Sequence, residues 1–118
     1  LQAQGEILDD MVRLLTRFLD VMDQLETTLE HLDAEDPHHQ AVQFAFDEMM
    51  KLLISEGVER IFALGRSFDP RWHEAVAMVP APADQVEEMR VVEVVNPGYR
   101  LDSRVLRPAK VVVAKRGA

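Results

Sequence analysis

Residues 8–32, LDDMVRLLTRFLDVMDQLETTLEHL, decide how this chain folds. Their apolar side chains Leu8, Met11, Leu15, Phe18, Met22, Leu25, Leu29 and Leu32 step by 3, 4, 3, 4, 3, 4 and 3. A half-buried strand repeats every second residue, whereas alternating steps of three and four trace the 3.5-residue seam of a helix packed against helices. Ile7, Val12, Leu14, Leu19 and Val21 widen the seam. A stripe this broad calls for several helical neighbours.

The loop DAEDPHH at 33–39 ends that first helix. Asp36 is a good N-cap and Pro37 suits the first helical position, because its missing N–H would be unpaired there anyway. A second helix is therefore expected from Pro37, with Val42, Ala45, Phe46, Met49, Leu52 and Leu53 at helical spacing and Phe44 and Met50 beside them. Gly57 ends it in a left-handed cap. Two helices make half a bundle. A second copy of the chain completes it most economically, so a homodimer is expected, with Leu8, Met11, Leu15, Phe18, Met22, Leu25, Phe46, Met49 and Leu53 at the dimer interface.

Beyond Gly57 the composition changes. Residues 1–56 hold three Val and one Pro, residues 57–118 twelve Val and five Pro. Branched side chains favour strands and proline marks turns. Apolar runs at 58–62, 75–79, 89–95, 104–106 and 109–114 alternate with turn chemistry at Pro80 and Pro82, at Asn96-Pro97-Gly98 and at Asp102-Ser103. Five or six short strands are expected, with no strand–helix rhythm of the kind that builds a parallel nucleotide-binding sheet. The fold class is α+β: a helical hairpin over 1–56 that forms a dimeric four-helix bundle, then a compact all-β domain of short strands over 57–118.

The whole chain has 118 residues, no cysteine and a formal net charge of −8. Without cysteine there is no disulfide framework or thiolate chemistry, which fits a reducing, cytoplasmic setting. No apolar run approaches the ~20 residues of a membrane-spanning helix. A start at Leu1 rather than Met suggests a piece of a longer protein. Residues 1–56 carry 13 acidic and 3 basic side chains, residues 57–118 carry 8 and 10. The bulk charge disfavours nucleic acid and anionic membranes. From Asn96 onward Arg100, Arg104, Arg107, Lys110, Lys115 and Arg116 face only Asp102, which reads either as a solvated strand face or as a patch for an acidic partner.

Catalytic and cofactor motifs are absent. The five glycines do not cluster into a phosphate loop, and none of the three serines sits in a nucleophile elbow. His38 and His39 are adjacent, so on a helix their side chains diverge by ~100° and cannot chelate together. His73-Glu74 could be an acid–base couple, but a histidine fixing a turn before a strand explains it better, with no nucleophile nearby. No catalytic residue, metal or cofactor is expected.

Four segments carry a resemblance. FDPRWHEAVAMV (68–79), PGYRLDSRVLRPAKVVVAK (97–115), GVERIFALG (57–65) and LDVMDQLETTL (19–29) resemble the GrpE family in order and spacing, over roughly residues 15–115. The resemblance implies a homodimeric nucleotide exchange factor, not an enzyme. Its β domain would bind the ATPase domain of a DnaK-type chaperone and promote ADP release during protein folding and heat stress. By positional match it assigns chaperone contacts to Phe68, Pro70, Val95, Arg104 and Val113, with Val95 and Val113 reading equally well as core residues. Asp20 stands where the family has a proline, so the helix should run straight through it. Ala41 replaces a common glycine, which favours helix by up to ~1 kcal/mol. The family's long N-terminal helix and its basic segment are mostly missing from this chain. The competing class is a dimeric adaptor that binds through its β domain without exchange.

Overall fold

A computed structural model describes residues 2–81 and 89–116, and the chain divides into two compact units between Gly57 and Val58. The first unit holds two helices, α1 (Gln2–His31) and α2 (Pro37–Ser55). The α1 helix passes through Asp20 without a break, as the missing proline predicts. Asp36 caps α2 as expected: its carboxylate accepts the His38 N–H at 2.8 Å and Pro37 opens the helix. That bond, followed by the His38 imidazole, holds the Asp36 carboxyl below its ordinary range. At the far end Gly57 takes φ +96° and donates to Ile54 O at 3.0 Å, the left-handed stop its sequence position implies.

The helices differ in length, 30 residues against 19. At about 1.5 Å per residue, α1 outreaches α2 by roughly 16 Å. Burial follows: Leu19, Met22 and Leu29 on α1 and Leu53 on α2 are covered. Ile7, Leu8, Met11, Leu14 and Val21, and on α2 Phe44, Leu52 and Ile54, remain exposed. Of the expected dimer contacts, Met22 and Leu53 are thus already buried within one chain. Leu15, Phe18, Leu25, Phe46 and Met49 are half-buried. Steps of three and four cannot separate the residues that face a chain's own second helix from those that face elsewhere, because both lie on the same side of the cylinder.

Among the described residues the second unit has six strands in two three-stranded sheets. In the first, β1 (Val58–Ile61), β4 (Gly98–Leu101) and β5 (Arg104–Arg107) run in the order β1-β4-β5, antiparallel throughout. In the second, β2 (His73–Ala81), β3 (Arg90–Asn96) and β6 (Ala109–Arg116) run in the order β2-β6-β3. There β6 pairs parallel with β2 and antiparallel with β3. The sequence reading misses β4, whose four residues include a glycine and an arginine and show no apolar alternation. It also misses the one parallel pair, which is connected through strands rather than a helix. The β2 strand runs through Pro80, which was expected to turn the chain. Because β2 lies at the edge of its sheet, an absent N–H at Pro80 is tolerated. Pro82, the other proline of that expected turn, lies outside the described residues.

The core of this unit is Ala63, Val91, Ala109, Val111 and Val113, with Phe68, Met89 and Val94 packed against it. Alternate residues of β6 point inward, so Ala109, Val111 and Val113 are wholly buried. Gly98 must come close to that strand. A Cβ there would abut Ala109 N and lie 2.9 Å from Ala109 Cα and the Pro108 carbonyl carbon.

The turn before β2 is built around His73. Asp69 Oδ1 accepts the Arg71 N–H at 2.9 Å, and Asp69 O accepts the N–H groups of Trp72 and His73 at 3.0 and 2.8 Å. In return the Asp69 N–H donates to His73 Nδ1 at 3.0 Å. His73 is 6% exposed and its ring lies 5.9 Å from that of Phe68. This is the turn-fixing histidine anticipated from sequence. Burial lowers its pKa from the ordinary 6.5; Asp69 opposes the shift and Arg66 adds to it.

Two outcomes follow. Gly98→Ala is expected to cost about 3 kcal/mol or more, because the clash is with backbone that cannot move aside, read as a fall in the urea midpoint followed by Trp72 fluorescence. For His73 the folded state holds the proton more weakly than the unfolded chain, so stability is greatest above about pH 6.5 and falls as pH drops below it. His73→Gln should flatten that slope, and an NMR titration should place the wild-type imidazole below 6.5.

Candidate functional site

The residues expected to meet a partner lie on the β unit, and the structure separates them into kinds. Pro70 is exposed in the 69–72 turn held by Asp69 and His73. Arg104 is exposed at the first position of β5, directly after the two-residue turn in which Asp102 takes φ +54°. Val95 is 54% exposed on β3. Phe68 is half-buried: its ring packs on the core and its N–H donates to Met89 O at 2.9 Å. Only part of the Phe68 ring can touch another molecule.

Val113 is a correction. It is 0% exposed in the middle of the central strand, where it pairs with Met78 and Val91. Its side chain holds the core and offers no surface to a partner, the core reading left open for it from sequence.

The cationic tail also divides. Arg100 lies 2.7 Å from Glu59 Oε2 and 5.6 Å from the Trp72 ring, on whose indole Arg71 also stacks at 4.7 Å. Arg107 donates from Nε to Pro97 O at 2.9 Å and sits 5.3 Å from the buried Tyr99 ring, which Arg60 meets at 5.7 Å. These arginines are partly spent on internal contacts, where a planar guanidinium matches an aromatic face. Arg104, Lys110 and Lys115 are exposed. The side chain of Arg116 lies outside the described residues.

Sequence reasoning overlooked a set of exposed apolar side chains. Phe62 is 73% and Leu64 66% exposed, while the small Ala63 between them is buried. Size alone would have put the Phe and Leu inside. The signal that could have found them is parity, since Ile61 and Ala63 share one side of an extended segment and Phe62 and Leu64 the other.

His73 Nδ1 accepts the Asp69 N–H, and Glu74 is exposed. Among the described residues no group of three or more His, Asp or Glu could hold a metal ion. None of the described helices is long and apolar enough to cross a membrane. The two sheets carry exposed apolar side chains, Phe62, Leu64 and Val95 among them, and the exposed cationic residues Arg104, Lys110 and Lys115.

The GrpE family model matches residues 6–115. The chain is 38% identical over 105 residues to the protein GrpE of Chromohalobacter salexigens, covering 87% of this chain and 49% of that protein. It is 37% identical over 103 residues to that of Thermotoga neapolitana, covering 87% and 60%. To that of Wolbachia pipientis subsp. Culex pipiens it is 34% identical over 119 residues, covering 98% and 63%. The chain thus spans about half to three fifths of the length of these relatives. A match over nearly the whole chain, on a helical hairpin followed by two small sheets, places this protein in the GrpE family.

Proposed function

We propose that the chain is a co-chaperone that pairs with a second copy through its helices and docks its β unit on the ATPase domain of a DnaK-type chaperone. Docking promotes release of ADP. The observation that carries the reading is the family match over residues 6–115, set on a β unit whose exposed groups include Arg104, Val95 and Pro70.

The mechanism requires no bond chemistry. A nucleotide-holding domain opens and closes, and a ligand that prefers the open form shifts the population by its differential affinity alone. A thousandfold faster release corresponds to about 4 kcal/mol of preference for a transition state resembling the open form. Linkage makes the effect reciprocal, so nucleotide rebinding weakens the complex and frees the factor. The guanidinium of Arg104 can form a two-pronged pair with a carboxylate, and Val95 and Pro70 offer apolar area of their own.

Pairing of two chains is supported by the uncovered stripe on α1. Ile7, Leu14 and Val21 recur every seven residues and are exposed, with Leu8 and Met11 on the same stretch. A helix does not leave such a stripe to water when a second copy can cover it. The resulting four-helix bundle places Leu8, Met11, Leu15, Phe18, Leu25, Phe46 and Met49 between chains.

Sedimentation should therefore give twice the chain mass at micromolar concentration, and Leu14→Lys should lower it. Release of a fluorescent ADP from the chaperone should accelerate as the protein is added; binding without acceleration would indicate an adaptor. Arg104→Ala is expected to weaken the complex about tenfold. The melting temperature of that variant should stay within about a degree of wild type, since the side chain is exposed.

A further inference from the structure

Backbone bonds hold the 69–73 turn to the rest of the β unit at both ends. Before it Phe68 donates to Met89 O at 2.9 Å, and near its end Trp72 O accepts the Ala109 N–H at 3.0 Å. Inside the turn the Asp69 carboxylate and carbonyl accept the N–H groups of Arg71, Trp72 and His73. The Asp69 N–H is different. It donates to a titratable side chain, His73 Nδ1, at 3.0 Å.

An imidazole nitrogen that accepts an N–H carries no proton, so the neutral ring of His73 has its proton on Nε2. A second proton can go only to Nδ1, whose lone pair is engaged by Asp69. Protonation there sets two N–H donors against each other across 3.0 Å, and one must move away. The surrounding charges do not remove this conflict. Asp69 favours the imidazolium and Arg66 disfavours it. On β6 the residue paired with His73 is the apolar Ala109, and Lys110 beside it pairs with Glu74. On β3 Arg90, which bridges to Ser67, directs its guanidinium to Gly65 O at 2.8 Å. The ring itself is buried and lies against Phe68.

We propose that His73 is a proton-operated catch on the turn that presents Pro70: uptake of one proton at Nδ1 and release of the Asp69 N–H are a single event. The catch is closed while the imidazole is neutral and opens in mild acid. Opening is local, since the bonds within the turn and both of its backbone anchors do not involve the ring. It therefore comes before the general loss of stability that acid brings. It acts on the turn whatever the turn meets.

Amide hydrogen exchange on the whole chain, followed by NMR while the imidazole is titrated, reads the catch directly. One proton taken up per opening makes the protection of the Asp69 amide fall about tenfold for each pH unit below about 6.5, until the ring is half protonated. Protection at Val111, in the buried centre of β6, should stay constant over the same range. In His73→Gln a side-chain amide oxygen replaces the imidazole as acceptor and does not titrate, so Asp69 protection should not depend on pH. A variant that keeps the wild-type slope overturns the proposal. Constant Asp69 protection in the wild type while the ring gains its proton overturns it too. So does a joint fall at Asp69 and Val111, which is general unfolding, or a ring that stays neutral until the whole unit unfolds. Should His73→Gln fail to fold, the wild-type comparison of Asp69 with Val111 decides alone.

Discussion

The β unit depends on one close approach, Gly98 against the backbone of Ala109. Gly98 belongs to the sheet β1-β4-β5 and Ala109 to the sheet β2-β6-β3, so their contact is where the two sheets meet. Close packing there lets Ala109, Val111 and Val113 be wholly covered, and β6 can then serve as the centre of its sheet. Arg104 is carried by β5 of the first sheet and Val95 by β3 of the second. Their relative placement is therefore fixed at the same junction. The proposed preference for one posture of a partner would need such rigidity, since any play between contacts would be shared between the two postures.

The turn around His73 does similar work for the loop side. A neutral imidazole accepts the Asp69 N–H, and the Asp69 carboxylate and carbonyl hold the three residues that follow. The histidine is thus a structural acceptor, and protonation would remove the very lone pair it uses. Pro70 stands exposed because this network folds the chain away beneath it.

Much of this was readable from the residues. The spacing of Leu8 to Leu32 gave the helix, Asp36-Pro37 the start of the next, and Gly57 its end, because seams, caps and left-handed stops are local rules. Asp69 to His73 was readable as a turn for the same reason. What escaped was non-local. The β4 strand has no pattern of its own and exists because β1 and β5 flank it. Val113 could not be told from a surface valine until β6 proved to be central. Phe62 and Leu64 were hidden by size, since a small Ala63 took the inward place they would ordinarily claim. The inner and outer halves of the helical seam were likewise indistinguishable, because both obey one period.

On the margin of its sheet β2 lacks a donor at Pro80 and shifts register between Ala75 and Ala77. Val76, Met78 and Val79 are exposed on that strand, an invitation to any loose chain seeking a template for hydrogen bonding. A missing donor and a kink make the template imperfect, so an incoming strand cannot zip along its length. The margin of this sheet is thereby less prone to recruit a stray chain and seed an aggregate.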